Sequence, residues 1–361
     1  MTSQKQRTSR SKPRQWVVAA ILLPASIFFS CGVAEIVLRA RGDQPFDPGD
    51  IDIRVDPGGK YQSGDPILGY RHLPGEYQIT FPNGDSWKAT HLPDTLRITR
   101  PLESYDTDRV GPEVWVLGCS FVHGWGLDDA DTFPWKLQER LPDYTVRNFG
   151  VGGYSTLQSL LQFREALERG PKPAVAALAY ADFHDRRNTR LRVWKKATFG
   201  YVKFGTTAQP YVRLTRAGDL ELSFDDGEYR DLFLSRHFAL AARLDAAYAR
   251  IEDRFYHSHQ VSRRLVMEFA QTAREHGVPF IVAGLRGNRP TSSMLSYARK
   301  NGILAVDISV SLQEPGMTIA FDQHPSARGT ARYAEKLARF MRKSDLLTTE
   351  ADIRRPEDSV L

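Results

Sequence analysis

The chain has 361 residues, 41% of them hydrophobic and 25% charged, an ordinary globular composition with room for one large domain or two modest ones. Its net charge of +6 would suit a nucleic-acid surface, but Lys5, Arg7, Arg10, Lys12 and Arg14 carry five of those six charges, with no acid among them. The rest of the chain is close to neutral, which excludes nucleic-acid binding as the main business of the folded part.

The basic tail (1–15) runs into Trp16–Ala34, nineteen residues without a charge. As a helix they span about 28 Å, the hydrocarbon thickness of a bilayer. Pro24 is tolerated in such a helix. Glu35, Arg39 and Arg41 mark its far end, so residues 16–38 are expected to form one membrane-spanning helix. A cleaved signal peptide is the competing reading; it would have a shorter apolar region and a small-x-small cleavage site. The positive-inside rule places residues 1–15 in the cytoplasm and the remainder outside, in a periplasm-like space. The two cysteines, Cys31 in the span and Cys119 far from it, form no disulfide framework.

Residues 39–110 are rich in Pro and Gly between short extended pieces, Tyr77–Phe81 and Leu96–Thr99 among them, with Pro82-Asn83-Gly84-Asp85 as a hairpin turn. They read as a linker and small β-rich elaboration. From Glu113 strands and helices alternate. Strands are expected at Val114–Leu117, Tyr144–Asn148, Ala174–Tyr180, Pro279–Gly284 and Ile303–Ile308. Helices are expected at Thr132–Leu141, Thr156–Arg169, Val261–His276, Ser292–Lys300 and Ser326–Arg342. Apolar strands joined by helical crossovers imply a mostly parallel sheet covered on both faces. This main domain covers 111–345, with a tail at 346–361. An insertion at about 186–258 opens with a basic run and holds a hairpin around Ala217-Gly218-Asp219 and a helix at Phe238–Tyr256.

Ligands of such sheets gather at the carboxyl ends of the strands. Ser120 stands there, after Val114–Leu117 and Gly118-Cys119. A serine nucleophile needs a base, a group that orients the base, and donors for the oxyanion. The loop before the last helix, Phe321-Asp322-Gln323-His324-Pro325, supplies an Asp and a His together. Cys119 is an alternative nucleophile, though a small residue beside a reactive serine is its simpler role. Asn148-Phe149-Gly150-Val151-Gly152-Gly153 lets backbone approach a ligand closely; it lacks the spacing of a dinucleotide fingerprint. His257 and His259 come nearest to a metal pair and read as a solvated helix end.

In combination, Gly118-Cys119-Ser120-Phe121, Asn148…Gly153 and Asp322-Gln323-His324-Pro325 resemble the SGNH/GDSL hydrolase superfamily, over Val114 to about Arg342. GCSFVHGWGLDDADTFPWKL resembles the opening block of its membrane-anchored, extracytoplasmic branch, as do the single span and LGYRHLPG at Leu68–Gly75. The resemblance implies a flavodoxin-like three-layer α/β/α domain, distinct from the α/β-hydrolase elbow, which would need a glycine where Val122 stands. It implies Ser120 as nucleophile, His324 as base, Asp322 as its orienter, and the N–H groups of Ser120 and Gly153 as oxyanion donors. The family adds an Asn side chain after the third strand. This chain has Ala181-Asp182-Phe183-His184-Asp185 there, leaving His184 or a folded-back Asn188 as the substitute. The Asp-x-His spacing is one residue shorter than the commoner form. Neither metal nor organic cofactor is implied.

The expected activity is a membrane-anchored serine esterase or deacylase acting outside the cytoplasm on an acyl ester, an acylated glycan or lipid being the candidate classes. Two alternatives stay open: acyl transfer to a cell-surface or secreted polysaccharide, and a catalytically inactive binding module.

Overall fold

A computed structural model describes residues 12–47, 53–105, 111–198, 208–226, 229–320 and 322–347. The start of the basic tail, the C-terminal tail beyond residue 347 and Phe321 lie outside the described residues. The chain divides into two compact units, residues 1–49 with 229–251, and residues 50–228 with 252–361.

The first unit opens with α1 (Lys12–Ala40). Within it, Trp16–Ala40 has a mean hydropathy of 2.3 and is unburied, long and apolar enough to cross a membrane by length and composition.

The second unit begins with β1 (Arg54–Asp56), β2 (Gln62–Asp65), β3 (Gly69–His72), β4 (Gly75–Thr80) and β5 (Ser86–His91). β1, β4 and β5 form an antiparallel sheet, and β2 pairs with β3. The Pro82–Asp85 turn closes the β4–β5 hairpin, with the Phe81 N–H donating to the Asp85 carbonyl at 2.8 Å. Leu96–Thr99 forms no strand; there Arg97 alone pairs, through isolated bridges to His91 and Asn148.

The alternating region follows as β6 (Glu113–Gly118), α2 (Ser120–His123), α3 (Phe133–Gln138), β7 (Thr145–Gly150), α4 (Thr156–Arg169), β8 (Val175–Tyr180), α5 (Phe183–Asn188) and α6 (Arg192–Ala197). Then come the hairpin β9 (Gln209–Leu214) and β10 (Leu220–Asp225), α7 (Ala239–Tyr256), α8 (Ser258–Glu275), β11 (Phe280–Gly284), α9 (Arg289–Lys300), β12 (Leu304–Asp307) and α10 (Ala327–Lys343). The five central strands are parallel, in the order β7-β6-β8-β11-β12. Counted among themselves along the chain they run 2-1-3-4-5, the flavodoxin-like doubly wound order.

Strand alternation explains the two cores. Trp115 and Leu117 of β6 face α4, α8 and α9, packing with Phe163, Phe269 and Leu295. Val114 and Val116 face α3 and α10, packing with Phe133, Leu137, Tyr333 and Leu337. A one-residue slip of β6 would exchange the two sets. Side-chain caps start the covering helices: Thr132 for α3, Asn288 for α9 and Ser326 for α10, with a Ser155–Gln158 capping box at α4.

The insertion expected at 186–258 is divided between the units. Residues 229–251 belong with α1, because Glu35 caps the first turn of α7: its carboxylate accepts from the N–H groups of Ala239 and Leu240 at 2.9 and 2.8 Å. A carboxylate at a helix N-terminus answers both the open N–H groups and the helix dipole.

Phe163 is fully buried and stacks on Phe269 at 4.7 Å between ring centroids. Phe163→Ala is expected to cost about 3–5 kcal/mol, seen as a lower thermal midpoint of the full-length protein in detergent. An unchanged midpoint would contradict this packing.

Candidate active site

Ser120 is the first residue of α2, at the carboxyl end of β6. β7 lies on one side of β6 and β8 on the other, so this is the point where the strand order reverses and a crevice opens. Gly150, at the end of β7, allows the approach: a Cβ there would run into the backbone of Val122 and His123.

The loop before α10 meets Ser120 from the other side. His324 is held by its own backbone, whose carbonyl accepts from the Ile319 N–H at 3.0 Å while Thr318 bridges to Pro325. Its Nε2 is 2.8 Å from Ser120 Oγ, and its Nδ1 is 2.8 Å from Asp322 Oδ1. The second carboxylate oxygen, Oδ2, accepts from Trp125 Nε1–H at 3.1 Å. Phe121 packs edge-on against the imidazole at 5.2 Å. Burial works to raise the Asp322 pKa, but the hydrogen bonds and charge of His324, with the Gln323 N–H, outweigh it and hold the carboxyl below its usual range. Thus Asp322 stays ionised where an orienting group must.

Ser120, Asp322 and His324 line a cavity of about 200 Å³, together with Gly152, Gly153 and the aromatic rings of Tyr61, Tyr70, Trp125 and Trp194. Gly153 has φ +84, a conformation suited to glycine. The β-rich segment supplies Tyr61, Gln62 and Tyr70; the insertion supplies Trp194, Ala197, Thr198 and Gln209. An insertion of this kind can equally cover a site or decorate the surface, and here it reaches the cavity wall; nothing in the linear pattern assigned the β-rich segment to it.

His184 does not reach the cavity. It is fully buried on α5, with Nδ1 3.3 Å from Thr156 Oγ1 and its ring against Tyr180 and Phe183. Burial, then the Arg187 charge, pushes its pKa well down, so it is neutral. Asn188 turns away as well, accepting from the Leu157 N–H at 2.9 Å and donating to Ser262 Oγ at 2.8 Å. The α5 residue that lines the cavity is Arg187, its guanidinium between Phe183 and Trp194 at 4.4 and 4.2 Å from their centroids. The expectation that His184 replaces the missing Asn is therefore corrected: helical geometry carries it to the inner face. His259, two residues after His257, is bonded through Nδ1 to Asp185 Oδ2 at 2.9 Å.

Two features behind the site escaped sequence reasoning. Arg97 is buried, and its five N–H groups meet five acceptors: Asp129 Oδ1 (2.8 Å) and the carbonyls of His123 (2.9 Å), Gly124 (2.8 Å), Leu127 (2.7 Å) and Lys88 (2.7 Å). It ties β5 to the loop that follows Ser120. The second feature is a buried histidine cluster. His72, His91 and His123 bring nitrogens within 4.8 Å of one another, and Nε2 of His91 and of His123 are 3.1 Å apart. Such a trio suggests a metal, but His72 lies nearly parallel over His91, with centroids 4.2 Å apart and planes at 13°. An imidazole lone pair lies in the ring plane, so two stacked rings cannot both aim at one ion. The cluster is a stack with one N–H···N bond. Burial, aided by the Arg97 charge, pushes His72 down to about 3; burial, then the neighbouring His72 and Arg97, pushes His91 and His123 well below the usual range.

No family model matches the chain, and no curated protein does. Among solved structures, it is similar to a member of the lipolytic protein G-D-S-L family from Veillonella parvula DSM 2008 (10% identity, TM-score 0.38, 63% of this chain and 97% of that one). It is also similar to a GDSL-like lipase from Bacteroides thetaiotaomicron VPI-5482 (14%, 0.36, 68% and 93%). A third is the psychrotrophic esterase EstA from Pseudoalteromonas sp. (9%, 0.37, 64% and 97%). Likeness at this level carries no argument about chemistry, which rests on the chain's own geometry.

Rings that protonate only on unfolding make the unfolded state the better proton binder below about pH 6.5. Stability is then lost as pH falls, by about 1.4 kcal/mol per pH unit for each such ring. The thermal midpoint is expected to drop between about pH 7 and about pH 5, and less steeply in His72→Phe. Equal slopes in the two proteins would contradict the neutral stack. In motif order and in sheet topology the chain resembles the SGNH/GDSL hydrolases.

Proposed function

We propose that this chain is a serine esterase or deacylase, anchored in the bacterial inner membrane by residues 16–38 and acting on the periplasmic side. The observation that carries the reading is the unbroken relay from Ser120 Oγ to His324 Nε2 and from His324 Nδ1 to Asp322, each link 2.8 Å. Ser120 Oγ attacks the ester carbonyl as its proton passes to His324 Nε2. The tetrahedral intermediate collapses, the C–O bond to the alcohol breaks, and His324 returns the proton to the departing oxygen. Water then gives a proton to His324, attacks the acyl-enzyme and releases the acid, and Ser120 recovers its proton. Asp322, oriented in turn by Trp125, fixes the imidazole tautomer. The N–H groups of Ser120 and Gly153 are the proposed donors to the oxyanion, both residues lining the cavity. A side-chain donor is worth on the order of 10²–10³ in rate, so a site working on two backbone donors should be a modest catalyst on simple esters.

The cavity, at about 200 Å³, is smaller than the roughly 300–1,000 Å³ usual for drug-sized ligands, and favours short acyl groups. Its aromatic rings offer faces on which a sugar can stack, which supports an acylated glycan as substrate. The same lining supports a second reading, transfer of the acyl group to a polysaccharide hydroxyl in place of water.

An alkyl fluorophosphonate is expected to label the full-length protein in detergent, and Ser120→Ala to abolish labelling. Equal labelling of the variant would overturn Ser120 as nucleophile; an unlabelled parent would favour the inactive module. Asp322→Asn is expected to lower kcat by roughly 10³–10⁴ on aryl acetates with little change in KM. Adding acceptor glycans separates the two chemistries: free acetate marks hydrolysis, acetylated glycan marks transfer.

A further inference from the structure

The unit built from α1 and residues 229–251 carries apolar side chains that the proposed chemistry does not use. Leu232, Phe233, Leu234 and Phe238 are all exposed, Phe233 to 83%. Four large apolar side chains outward within seven residues are unusual on a water-facing surface. Their exposure is built in. Leu234 has φ +67, an uncommon conformation for a non-glycine residue. Around it Ser235 stays buried, its N–H donating to the Leu232 carbonyl at 2.9 Å and its carbonyl accepting from the Phe46 N–H at 2.8 Å.

This segment is also pinned to one level of α1. Glu35 accepts from the N–H groups of Ala239 and Leu240. Arg39, paired with Glu35 at 2.6 Å, donates to the His237 carbonyl at 2.8 Å. Asp43 pairs with Arg243 at 3.3 Å. Glu35 is the first charge after the uncharged run Trp16–Ala34. A carboxylate is costly in hydrocarbon, so Glu35 marks the boundary where the span ends. Residues 232–238, bonded to Arg39 through the His237 carbonyl and followed directly by the turn of α7 that Glu35 caps, are held at that same boundary. Val33, Ile36 and Val37 of α1 are exposed there too, so apolar surface continues from the span to its end. Arg236, Arg39 and Arg41 are exposed at the same level, where anionic headgroups would meet them.

We propose that residues 232–238 are a second membrane contact, with Phe233 and its neighbours seated in the boundary between headgroups and acyl chains of the leaflet where α1 emerges. The ligand is the bilayer itself. Leu and Phe beside Arg is the composition of interfacial segments, and the Glu35 cap sets the depth. The proposal rests on reading α1 as a membrane span.

The test uses the full-length chain with Cys31→Ala, reconstituted in nanodiscs of phosphatidylcholine and phosphatidylglycerol. A nitroxide is placed by Phe233→Cys, by Ile27→Cys within the span, or by Lys60→Cys on the other unit. Relaxation by oxygen, which concentrates in lipid, is compared with relaxation by a water-soluble nickel chelate. At 233 oxygen is expected to dominate, as at 27, while nickel dominates at 60. If 233 behaves like 60 while 27 stays in lipid, the contact is overturned and the anchor stands. If 27 also behaves like 60, the anchor reading itself has failed. A label at 233 screened from both reagents is packed on protein, a second copy of the chain for instance, and overturns the proposal as well.

Discussion

A buried guanidinium holds the surroundings of Ser120 in place. Arg97 has no solvent to answer its charge or its five N–H groups, so the fold must. It does so with Asp129 and four carbonyls, three of them from His123, Gly124 and Leu127, directly after Ser120. The Gly124 carbonyl also accepts from the Leu127 N–H at 3.2 Å, so the guanidinium reinforces a turn the backbone itself closes. Asp129 Oδ1 also accepts from the Thr90 N–H at 3.0 Å, and Asp128 from the Lys88 N–H at 2.7 Å. One ionic cluster thus joins the β-rich segment to the α/β sheet and stiffens the turn that carries Trp125 to Asp322. Removing one partner of such a pair leaves the other charge buried and unanswered, the costly case.

The site is a convergence of loops on a rigid sheet. β6 delivers Ser120, the loop before α10 delivers Asp322 and His324, and the end of β7 delivers the glycines. Their union depends on the 2-1-3-4-5 strand order, because only a reversal beside β6 opens a crevice at its carboxyl end. The walls come from elsewhere. Tyr61 and Tyr70 precede the sheet in sequence, and Trp194 and Gln209 belong to the insertion. The residues proposed to move the proton and the surfaces that would choose a substrate are therefore encoded separately.

The neutral histidine stack shows how residue type alone misleads. His72, His91 and His123 pass a test of proximity for metal binding, yet their ring planes are those of a packed aromatic pile, with Tyr61 stacked at 5.8 Å from His72. The same lesson applies to His184. It occupies the sequence position of an expected oxyanion donor, but α5 turns it inward against Thr156 and presents Arg187 to the cavity.

What the sequence by itself determined is whatever local pattern encodes. Periodicity placed α4 at Thr156–Arg169, and it placed the other covering helices and the five parallel strands within a few residues, because burial on one face or both leaves a repeat that can be read directly. Residue chemistry singled out Ser120, Asp322 and His324, since a hydroxyl at a strand end and an Asp-x-His before a helix are local features. Tertiary structure alone decided the rest. Arg97 looked like one more residue of an extended piece, and only the long-range approach of Asp129 and the Ser120 loop gives its charge a reason to be buried. The aromatic wall, the inward turn of His184 and the attachment of residues 229–251 to α1 have the same origin. Each depends on which surfaces meet when distant segments pack, and a pairing between residues as far apart as Glu35 and Ala239 leaves no periodic trace in the chain.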